Sequence, residues 1–282
     1  MSDNPFQAKM QARLERAKNM TDEEKLYRFK GVLYPTLMCP EENLKCLDNI
    51  KAREDDIMLV AYPKCGECGV EFLKVNFVCL RLSSQMVEEA PSPRFLGTHF
   101  HPDNIPATFK EKKPKMLVVF RNPKDTLVSY YHFCNNNPVL PSVKSWDSFF
   151  TDFMSGNVAW GSYFDHALAW EKRMDDPDVM VVTYEDLKQD LSAGIRQVST
   201  FFGFTLTDDQ VQQIAGASSF SAMKESSTNS HGNMGKVIFR KGEVGDWKNH
   251  FTPEQSREMD EAFNKLLAGT KLGAKLNYNH NC

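Results

Sequence analysis

Four short apolar runs constrain the fold more than any other feature of this sequence. In chain order they are IMLVAY at 57–62, RFLGTH at 94–99, MLVVFR at 116–121 and VMVVTY at 179–184. Each is too short for a helix, rich in Val, Leu or Ile, and without alternation, which is typical of parallel strands buried on both faces. Helical patterns separate the runs, at about 69–86, 123–134, 145–154 and 161–175. This order predicts a single α/β domain over residues 1–282, with a central, mostly parallel sheet flanked by helices.

The topology also predicts where a ligand binds, because ligands of parallel sheets bind at the carboxyl ends of the strands. The loops at those ends are 63–69, 98–104, 121–125 and 184–187. A formal net charge of −3 argues against general nucleic-acid binding, but it is compatible with a local basic pocket for a small anion. We therefore search these loops for groups that bind an anion.

Two features of the sequence bear on where the protein resides. No apolar stretch approaches the roughly 20 residues of a membrane span, and the charged N-terminal segment has no apolar core of a secretory signal. The seven cysteines are an odd, scattered set without the spacing of a disulfide framework. We predict a cytoplasmic protein in a reduced compartment, with neither a membrane nor a nucleic acid as partner.

The segments outside the four-run pattern are predicted separately. Residues 1–26 are predicted to form peripheral N-terminal helices, the second of them opened by a capping box from Thr21 to Glu24. Residues 224–246 are rich in Ser, Asn and Gly without a clear period, which predicts a long functional or disordered loop. Residues 253–268 read as an amphipathic helix with Pro in its first turn.

The turn YPKCGECG, which follows the first run, suits an anion. A loop between a strand and a helix N-terminus offers backbone N–H groups and the positive end of the helix dipole. Lys64 supplies a cation, and Gly66 and Gly69 allow the backbone to approach a ligand closely. The loop is not of the Walker A type, because GxxxxGK[ST] is absent from the sequence.

A second interpretation of the same turn is redox chemistry. Cys65 and Cys68 stand at the position of a thioredoxin-like pair, at the start of a predicted helix. Cys39 and Cys46 are too widely spaced to complete a zinc site with them. The third interpretation is that both thiols are small, half-buried side chains without a chemical role.

His99, at the end of the second run, is a candidate general base because histidine titrates near neutral pH. His99 and His101 have the spacing to chelate a metal, but no Asp, Glu or Cys with ligand spacing accompanies them, so no metal is predicted. The alternative is a structural histidine in a loop.

Two further segments carry groups that suit a phosphate. In VVFRNPKDTLVSYYHF, Arg121 closes a strand and Ser129 lies two turns into the next helix, so both can reach a phosphate over the helix start. In FRKGEVGDWKNHF, Arg240, Lys241 and Gly242 combine a planar fork, a point charge and an unhindered N–H. The alternatives are an Arg that caps carbonyls beside a packed Ser, and a solvated charged loop.

Together and in this order, the motifs resemble those of the cytosolic sulfotransferases, and most closely the sixth vertebrate branch, which is 6B-like. The resemblance extends from about residue 27 to 268 and rests on YPKCG, GTHFHPDNIP, FRNPKDTLVSYYHF, WGSYFDHALAW, VVTYEDLKQD, SSFSAMK and FRKGEVGDWKNHF. It implies the P-loop-NTPase-like sulfotransferase fold. It also implies transfer of a sulfuryl group from 3′-phosphoadenosine 5′-phosphosulfate (PAPS, product PAP) to a small phenol, alcohol or amine, without a metal.

The resemblance assigns roles to matching positions. Lys64 would neutralise charge on the departing phosphate, and His99 would take the proton of the acceptor. Residues 224–246 would form a lid and a loop that binds the 3′-phosphate. The PAPS site would comprise Lys64, Cys65, Gly66, Glu67, Cys68, Gly69, Arg121, Ser129, Tyr184, Ser218, Phe220, Arg240, Lys241 and Gly242.

The sequence departs from the family pattern inside the predicted PAPS loop. Where the family has a small polar residue, Thr or Asn, and then Trp, this chain has Glu67, Cys68 and Gly69. Charge repulsion at about 4 Å costs on the order of 1–4 kcal/mol in a partly exposed site, and a lost aromatic stack costs roughly 1–3 kcal/mol. A catalytically impaired relative that binds nucleotide or ligand without efficient turnover is therefore the alternative function, and a CxxC redox protein is the third.

Two other departures concern the acceptor side and assembly. Gly97 stands where the family often has Lys, which would weaken positioning around His99. In the short motif through which many members dimerise, Pro253 replaces Val and Arg257 replaces Glu. Proline removes a backbone donor, so we predict a monomer or a weak homodimer.

Overall fold

The computed structural model describes residues 5–66, 76–77, 84–231 and 234–278. Within these residues, five parallel strands form one sheet in the order β4-β5-β3-β6-β7, and β1 and β2 form a separate antiparallel hairpin. The strands are β1 Leu26–Phe29, β2 Val32–Pro35, β3 Ile57–Ala61, β4 Asn76–Phe77, β5 Phe95–Thr98, β6 Lys115–Phe120 and β7 Val179–Thr183. The parallel sheet and its four predicted runs are confirmed.

Helices cover both the connections of the sheet and the C-terminal part of the chain. They are α1 Pro5–Ala17, α2 Glu41–Lys45, α3 Ser84–Glu89, α4 Ala107–Lys112, α5 Pro123–Asn135, α6 Trp146–Ser155, α7 Tyr163–Glu171, α8 Tyr184–Gln189, α9 Leu191–Phe202, α10 Asp208–Ala217, α11 Phe220–His231, α12 Met234–Ile238, α13 Pro253–Leu266 and α14 Lys271–Leu276. Short 3₁₀ turns lie at Leu47–Asn49, Pro102–Asn104 and Asp246–Asn249. None of the helices in the described ranges is long and apolar enough to cross a membrane.

The strand register brings the predicted ligand loops to one edge of the sheet. Strands β3 and β6 are almost entirely buried, which explains their continuous apolar sequences. Val60 of β3 lies opposite Thr98 of β5, and Phe120 of β6 lies opposite Thr183 of β7. The chain therefore leaves all four strands at similar heights, and the residues that follow them meet at the carboxyl edge.

The predicted second N-terminal helix is wrong. Thr21 and Glu24 do exchange the hydrogen bonds of a capping box, with N···O distances of 2.7 and 3.4 Å, but only a turn follows. The chain then enters β1, because Lys30 and Gly31, at φ 49° and 82°, form a left-handed two-residue turn that closes a hairpin. The Lys-Gly pair was the sequence signal for this hairpin.

The prediction of a long loop over 224–246 is also wrong for most of its length. Helices α11 and α12 occupy the described residues up to Ile238, and a segment without regular secondary structure follows. The hydroxyl of Ser227 donates to the carbonyl of Lys224 at 2.6 Å, so this polar side chain is satisfied by its own helix. Gly235 of α12 packs on Ser227, where an added Cβ would lie 2.4 Å from the hydroxyl oxygen. Because polar contacts of this kind stabilise α11 and α12, their sequences lack the apolar periodicity by which a helix is predicted.

The other predicted helices occur with small differences at their ends. The helix from Pro253 is confirmed, and Thr252 caps it through a capping box with Gln255. Arg257 pairs with Glu254 on the exposed face at 3.3 Å. Most of the helix predicted at 69–86 lies outside the described residues.

Candidate functional site

A cavity of about 250 Å³ opens at the carboxyl edge of the sheet. It is bounded by the β3–β4 connection, the starts of α5 and α8, and the segment from α10 to residue 243. The predicted site residues that line it are Lys64, Gly66, Arg121, Ser129, Tyr184, Ser218, Phe220, Arg240, Lys241 and Gly242. With Lys188, the lining has five cationic side chains beside apolar ones, an arrangement that can accommodate an anion attached to a flat, apolar group.

The Lys64 turn is held in an unusual backbone conformation. Lys64 has φ 70° and Gly66 has φ 104°, and the left-handed region favours glycine. A Cβ on Gly66 would lie 2.6 Å from Cδ2 of Tyr184, so glycine is needed for the close contact between this turn and the start of α8. Nζ of Lys64 lies 4.8 Å from the ring centroid of Phe133 and donates to the carbonyl of Ile238 at 3.3 Å.

Arg121 joins three sides of the cavity. Its guanidinium donates to the carbonyl of Lys64 at 3.4 Å and to that of Glu243 at 2.8 Å. The guanidinium carbon lies 4.4 Å from the ring centroid of Tyr184. Nε is buried and has no hydrogen-bond partner among the residues that the structure describes. A buried donor of this kind is available to a bound anion.

Arg240 and Lys241 share one buried carboxylate, that of Asp246. Arg240 forms a very short contact with Oδ2, and Lys241 Nζ donates to Oδ1 at 2.6 Å. Burial alone would raise the pKa of Asp246, but the hydrogen bonds from Lys241, Arg240 and Asn249 outweigh it and hold this pKa well below its usual range. Asp246 thus fixes two cations at the mouth of the cavity.

Gly242 allows the ring of Phe220 to lie directly against the backbone that follows Lys241. It has φ 69°, and a Cβ there would lie 2.3 Å from Cδ2 of Phe220. Phe220 in turn packs edge-on against Phe239, with ring centroids 6.1 Å apart. The segment is attached to α5 through Asp125, whose carboxylate accepts from the N–H groups of Gly245 at 2.6 Å and Trp247 at 3.1 Å.

His99 lies directly after β5 and is 6% exposed. Its Nδ1 is 2.8 Å from the carbonyl oxygen of Ala61, and its ring meets Trp160 edge-on, with centroids 5.1 Å apart. A carbonyl cannot donate, so in the neutral ring Nδ1 carries the proton and Nε2 is the basic nitrogen. His99 does not line the anion cavity. It follows β5, the strand beside β3. Gly97, two residues before it, is buried within β5, which lies between β3 and β4.

The structure describes only one cysteine of the predicted redox pair. Cys65 is fully buried beneath the cavity, with Sγ 3.6 Å from the hydroxyl oxygen of Thr126. Glu67, Cys68 and Gly69 lie outside the described residues. The residues described contain no cluster of three or more His, Cys, Asp or Glu placed to hold a metal.

Three carboxylates that organise the site were not predicted from the sequence. Asp125, Glu185 and Asp246 are all buried, and each is bonded to a backbone or cationic group at the cavity. Their sequence signal was their place inside the quoted motifs, with Glu185 next to Tyr184 and the other two within four residues of a predicted ligand residue. Further lining residues were also not predicted, and these are Leu187, Lys188, Leu191, Ser219, Met223, Ile238, Phe239 and Glu243.

A protein-family model described as a sulfotransferase domain matches residues 69–271. The match includes His99 and the cavity residues from Arg121 to Gly242, and it begins after Lys64. This family defines the class of protein to which the fold and the cavity correspond.

Similar proteins narrow the class to one branch. Sulfotransferase 6B1 of Danio rerio is 57% identical over 295 residues, covering 98% of this chain and 99% of its own. Sulfotransferase 6B1 of Homo sapiens is 45% identical over 287 residues, covering 95% of each chain. The chain therefore belongs to the sulfotransferase family, in its 6B-like branch, and is a PAPS-dependent sulfotransferase. The Danio alignment is longer than the 282 residues of this chain, so that relative has residues without a counterpart here.

Solved structures agree with this fold. Mouse sulfotransferase SULT7A1, crystallised with PAP, is 34% identical with a TM-score of 0.83, covering 90% of this chain and 99% of its own. Retinol dehydratase, solved with retinol and PAP, is 17% identical with a TM-score of 0.77, covering 92% of this chain and 95% of its own. The second likeness is one of fold alone.

Proposed function

We propose that the cavity binds the nucleotide of PAPS and that the chain transfers its sulfuryl group to a hydroxyl or amine of a small acceptor. The observation that carries this proposal is the convergence of Lys64, Arg121, Arg240 and Lys241 on one cavity with an aromatic floor. The solved mouse relative, which contains PAP, supports the same ligand for this site.

The residues of the cavity fit the two anionic ends of such a nucleotide. Arg121, with its unpartnered buried Nε within the described structure, and Ser129 would hold the 3′-phosphate from the α5 side. Arg240, Lys241 and the backbone N–H of Gly242 would hold it from the opposite side. Tyr184, Ser218 and Phe220 would contact the adenine, and Cys65 and Gly66, with the predicted residues Glu67, Cys68 and Gly69, would bind the 5′-phosphosulfate. Cationic side chains on both sides of the 3′-phosphate favour its tight binding.

Lys64 would stabilise the charge of the leaving group. When bound, PAPS supplies an activated sulfuryl group whose departure leaves negative charge on the 5′-phosphate. Sulfuryl transfer, like phosphoryl transfer, depends more on positioning and charge stabilisation than on covalent catalysis. The left-handed backbone of Lys64 and the Phe133 ring beneath its ammonium hold this cation at the cavity.

His99 would act as the base. Its Nδ1–H donates to Ala61, which fixes the ring and assigns the proton acceptor role to Nε2. The proton of the acceptor hydroxyl would pass to Nε2 as the oxygen forms its bond to sulfur. Because His99 and Lys64 follow adjacent parallel strands, the acceptor and the leaving phosphate would meet between them.

A second candidate function is a relative that binds nucleotide without efficient turnover. The observations that favour it are the residues Glu67, Cys68 and Gly69 in the predicted loop and the family match that begins only at residue 69. Restoring Thr, Thr and Trp at these positions should raise activity if the loop limits catalysis. The cytoplasmic location, the absence of a metal and the monomeric or weakly dimeric state stay predictions.

The experiment that tests the function begins with calorimetric titration of PAP into the purified protein, followed by transfer from PAPS to a panel of phenols, alcohols and amines. We expect micromolar or tighter binding of PAP and a measurable rate with at least one acceptor. His99→Ala and Lys64→Met should abolish transfer while PAP binding persists in the His99 variant. Lys265→Met, an exposed lysine on α13, is the matched control and should retain full activity.

The outcomes separate the two candidates. Binding of PAP without transfer to any acceptor, with rescue by the restored loop, would support the impaired relative. Failure to bind PAP at all would contradict both candidates. Full turnover by His99→Ala would remove His99 from the mechanism.

A further inference from the structure

A half-satisfied carboxylate lies beside the proposed nucleotide site. Glu185, the second residue of α8, is 7% exposed. Its Oε1 accepts the backbone N–H of Asn122 at 3.0 Å, whereas Oε2 is buried and finds no hydrogen-bond partner in the described part of the chain. Buried carboxylates normally have their oxygens hydrogen-bonded, so this one calls for a functional explanation.

Glu185 connects the carboxyl ends of the two neighbouring strands β6 and β7. Its neighbour Tyr184 lies under the guanidinium of Arg121, and Glu185 itself holds the N–H of Asn122, the residue after Arg121. Tyr184 and Glu185 on α8 thus contact the two residues that precede α5, Arg121 and Asn122. Through Asn122, Glu185 acts on the backbone that aims Arg121 into the cavity.

The charged and titratable groups around Glu185 come from three elements. Arg121, after β6, favours the ionised carboxylate, and Asp125 of α5 opposes it. The charge of Glu185 contributes to raising the pKa of Tyr163 on α7, whose hydroxyl donates to the carbonyl of Arg121 at 2.7 Å. Burial has the largest effect and raises the pKa of Glu185 to about 7, against the opposing effects of Asn122 and Arg121. Glu185 therefore exchanges its proton near neutral pH.

We propose that Glu185 is a positioning residue for Arg121 and that nucleotide binding is coupled to uptake of protons from solvent by its carboxylate. The inference rests on the proposed function, because the anion concerned is the 3′-phosphate. A phosphate on Arg121 adds negative charge nearby and competes for the guanidinium, and both effects disfavour ionised Glu185. The protonated carboxyl still accepts from Asn122, so the turn stays in place while its competition for Arg121 disappears.

Linkage gives this coupling a sign. If binding takes up a proton, the affinity must fall as pH rises through the pKa of the free protein. We expect the affinity for PAP to fall about threefold to tenfold between pH 6.5 and 8.5 for a one-unit rise in the pKa of Glu185. The ionisation of the phosphate itself has the opposite sign, because cations lower the pKa of a phosphate and release protons.

The test is calorimetry of PAP binding at pH 7 in buffers with different ionisation enthalpies, which yields the number of protons taken up. Glu185→Gln retains an oxygen for Asn122 but cannot titrate. We expect wild-type protein to take up on the order of 0.3–0.5 more protons per PAP than Glu185→Gln. The variant should also lose most of the pH dependence of affinity. Glu261→Gln, an exposed residue on α13, makes the same change in charge and should match wild type.

Each outcome decides the inference. Equal proton uptake by wild type and a folded, PAP-binding Glu185→Gln would overturn it and leave the proposed function standing. Absence of PAP binding to wild type would overturn both. If Glu185→Gln does not fold, the pH series of wild type alone decides, because net proton uptake must be largest between pH 7 and 8 and must decline at pH 5.5.

Discussion

The guanidinium of Arg121 lies 4.4 Å from the ring centroid of Tyr184, so the residues that end two neighbouring strands stack on each other at the wall of the cavity. This contact holds the arginine across the strand ends before any anion arrives. Gly66 approaches the same ring from the Lys64 turn. The tyrosine is therefore the shared support of two of the proposed cofactor-binding segments.

Replacing Tyr184 tests this support. Tyr184→Phe keeps the ring face and should alter PAP affinity less than twofold. Tyr184→Leu removes the cation–π contact, worth about 0.5–1 kcal/mol, and should weaken PAP binding about two- to fivefold. Calorimetric titration of both variants is the measurement, and equal affinities for Phe and Leu would contradict a role of the ring face.

The close contact between Gly242 and the Phe220 ring predicts that adding one methyl group at position 242 weakens PAP binding. Gly242→Ala would place a Cβ 2.3 Å from the Phe220 ring at a left-handed φ, so it should displace the ring and reduce PAP affinity at least tenfold. Gly216→Ala is the matched control, because no atom lies within 4 Å of its Cβ and Ala favours the helix by about 0.5–1 kcal/mol. Titration with PAP and thermal unfolding of both variants distinguish the two effects. An affinity of Gly242→Ala equal to that of wild type would show that the ring moves freely.

Asp246 predicts an acid-dependent part of stability. Its pKa is held well below the usual 3.8 in the folded protein, so its ionised form stabilises the fold above pH 3.8 and this contribution is lost as pH falls toward the folded pKa. Asp246→Asn should lower the free energy of unfolding by about 1–3 kcal/mol at pH 7. The difference from wild type should be constant down to about pH 5 and shrink below about pH 4.

Denaturant unfolding of Asp246→Asn at several pH values provides the measurement, with the exposed Asp48→Asn as control. A difference that grows as pH falls would contradict the assignment.

The raised pKa of Glu185 predicts a pH dependence of stability opposite in sign to that of Asp246, in the protein without nucleotide. Its folded pKa of about 7 lies above the usual 4.5, so the native state binds more protons than the unfolded state between these values. The stability contribution of the protonated form is thus lost as pH rises through 7. Relative to wild type, Glu185→Gln should gain stability with rising pH, by up to about 3 kcal/mol above pH 8. A stability difference that does not change between pH 5 and 8 would contradict the raised pKa.

The sequence predicted the parallel sheet because each of its main strands is a continuous apolar run, and burial on both faces requires that pattern. It did not predict the hairpin of β1 and β2, because the left-handed Lys30–Gly31 turn is a weaker signal than the apparent capping box at Thr21. Helix α11 was missed because hydroxyls such as that of Ser227 are satisfied by the backbone of their own helix, which leaves no apolar period to detect.

The candidate site was predicted only in part. Arg121 could be identified because it closes a predicted strand at the ligand-binding edge, and Arg240 and Lys241 because they stand directly before Gly242 and its unhindered N–H. The carboxylates could not, because Asp125 and Glu185 act on backbone N–H groups that are distant in the sequence or in another element. Such pairings depend on the tertiary structure, and residue type alone does not reveal them.

The attachment of Gly245 and Trp247 to Asp125 has a consequence for unfolding. It joins the segment that carries Arg240 to the helix that begins beside Arg121, across about 120 residues of chain. A nucleotide held by both arginines would reinforce the same seam. Saturation with PAP at 100 times its Kd should therefore stabilise the fold by about 2.7 kcal/mol, and that gain should be seen first as protection of residues 239–247 from proteases.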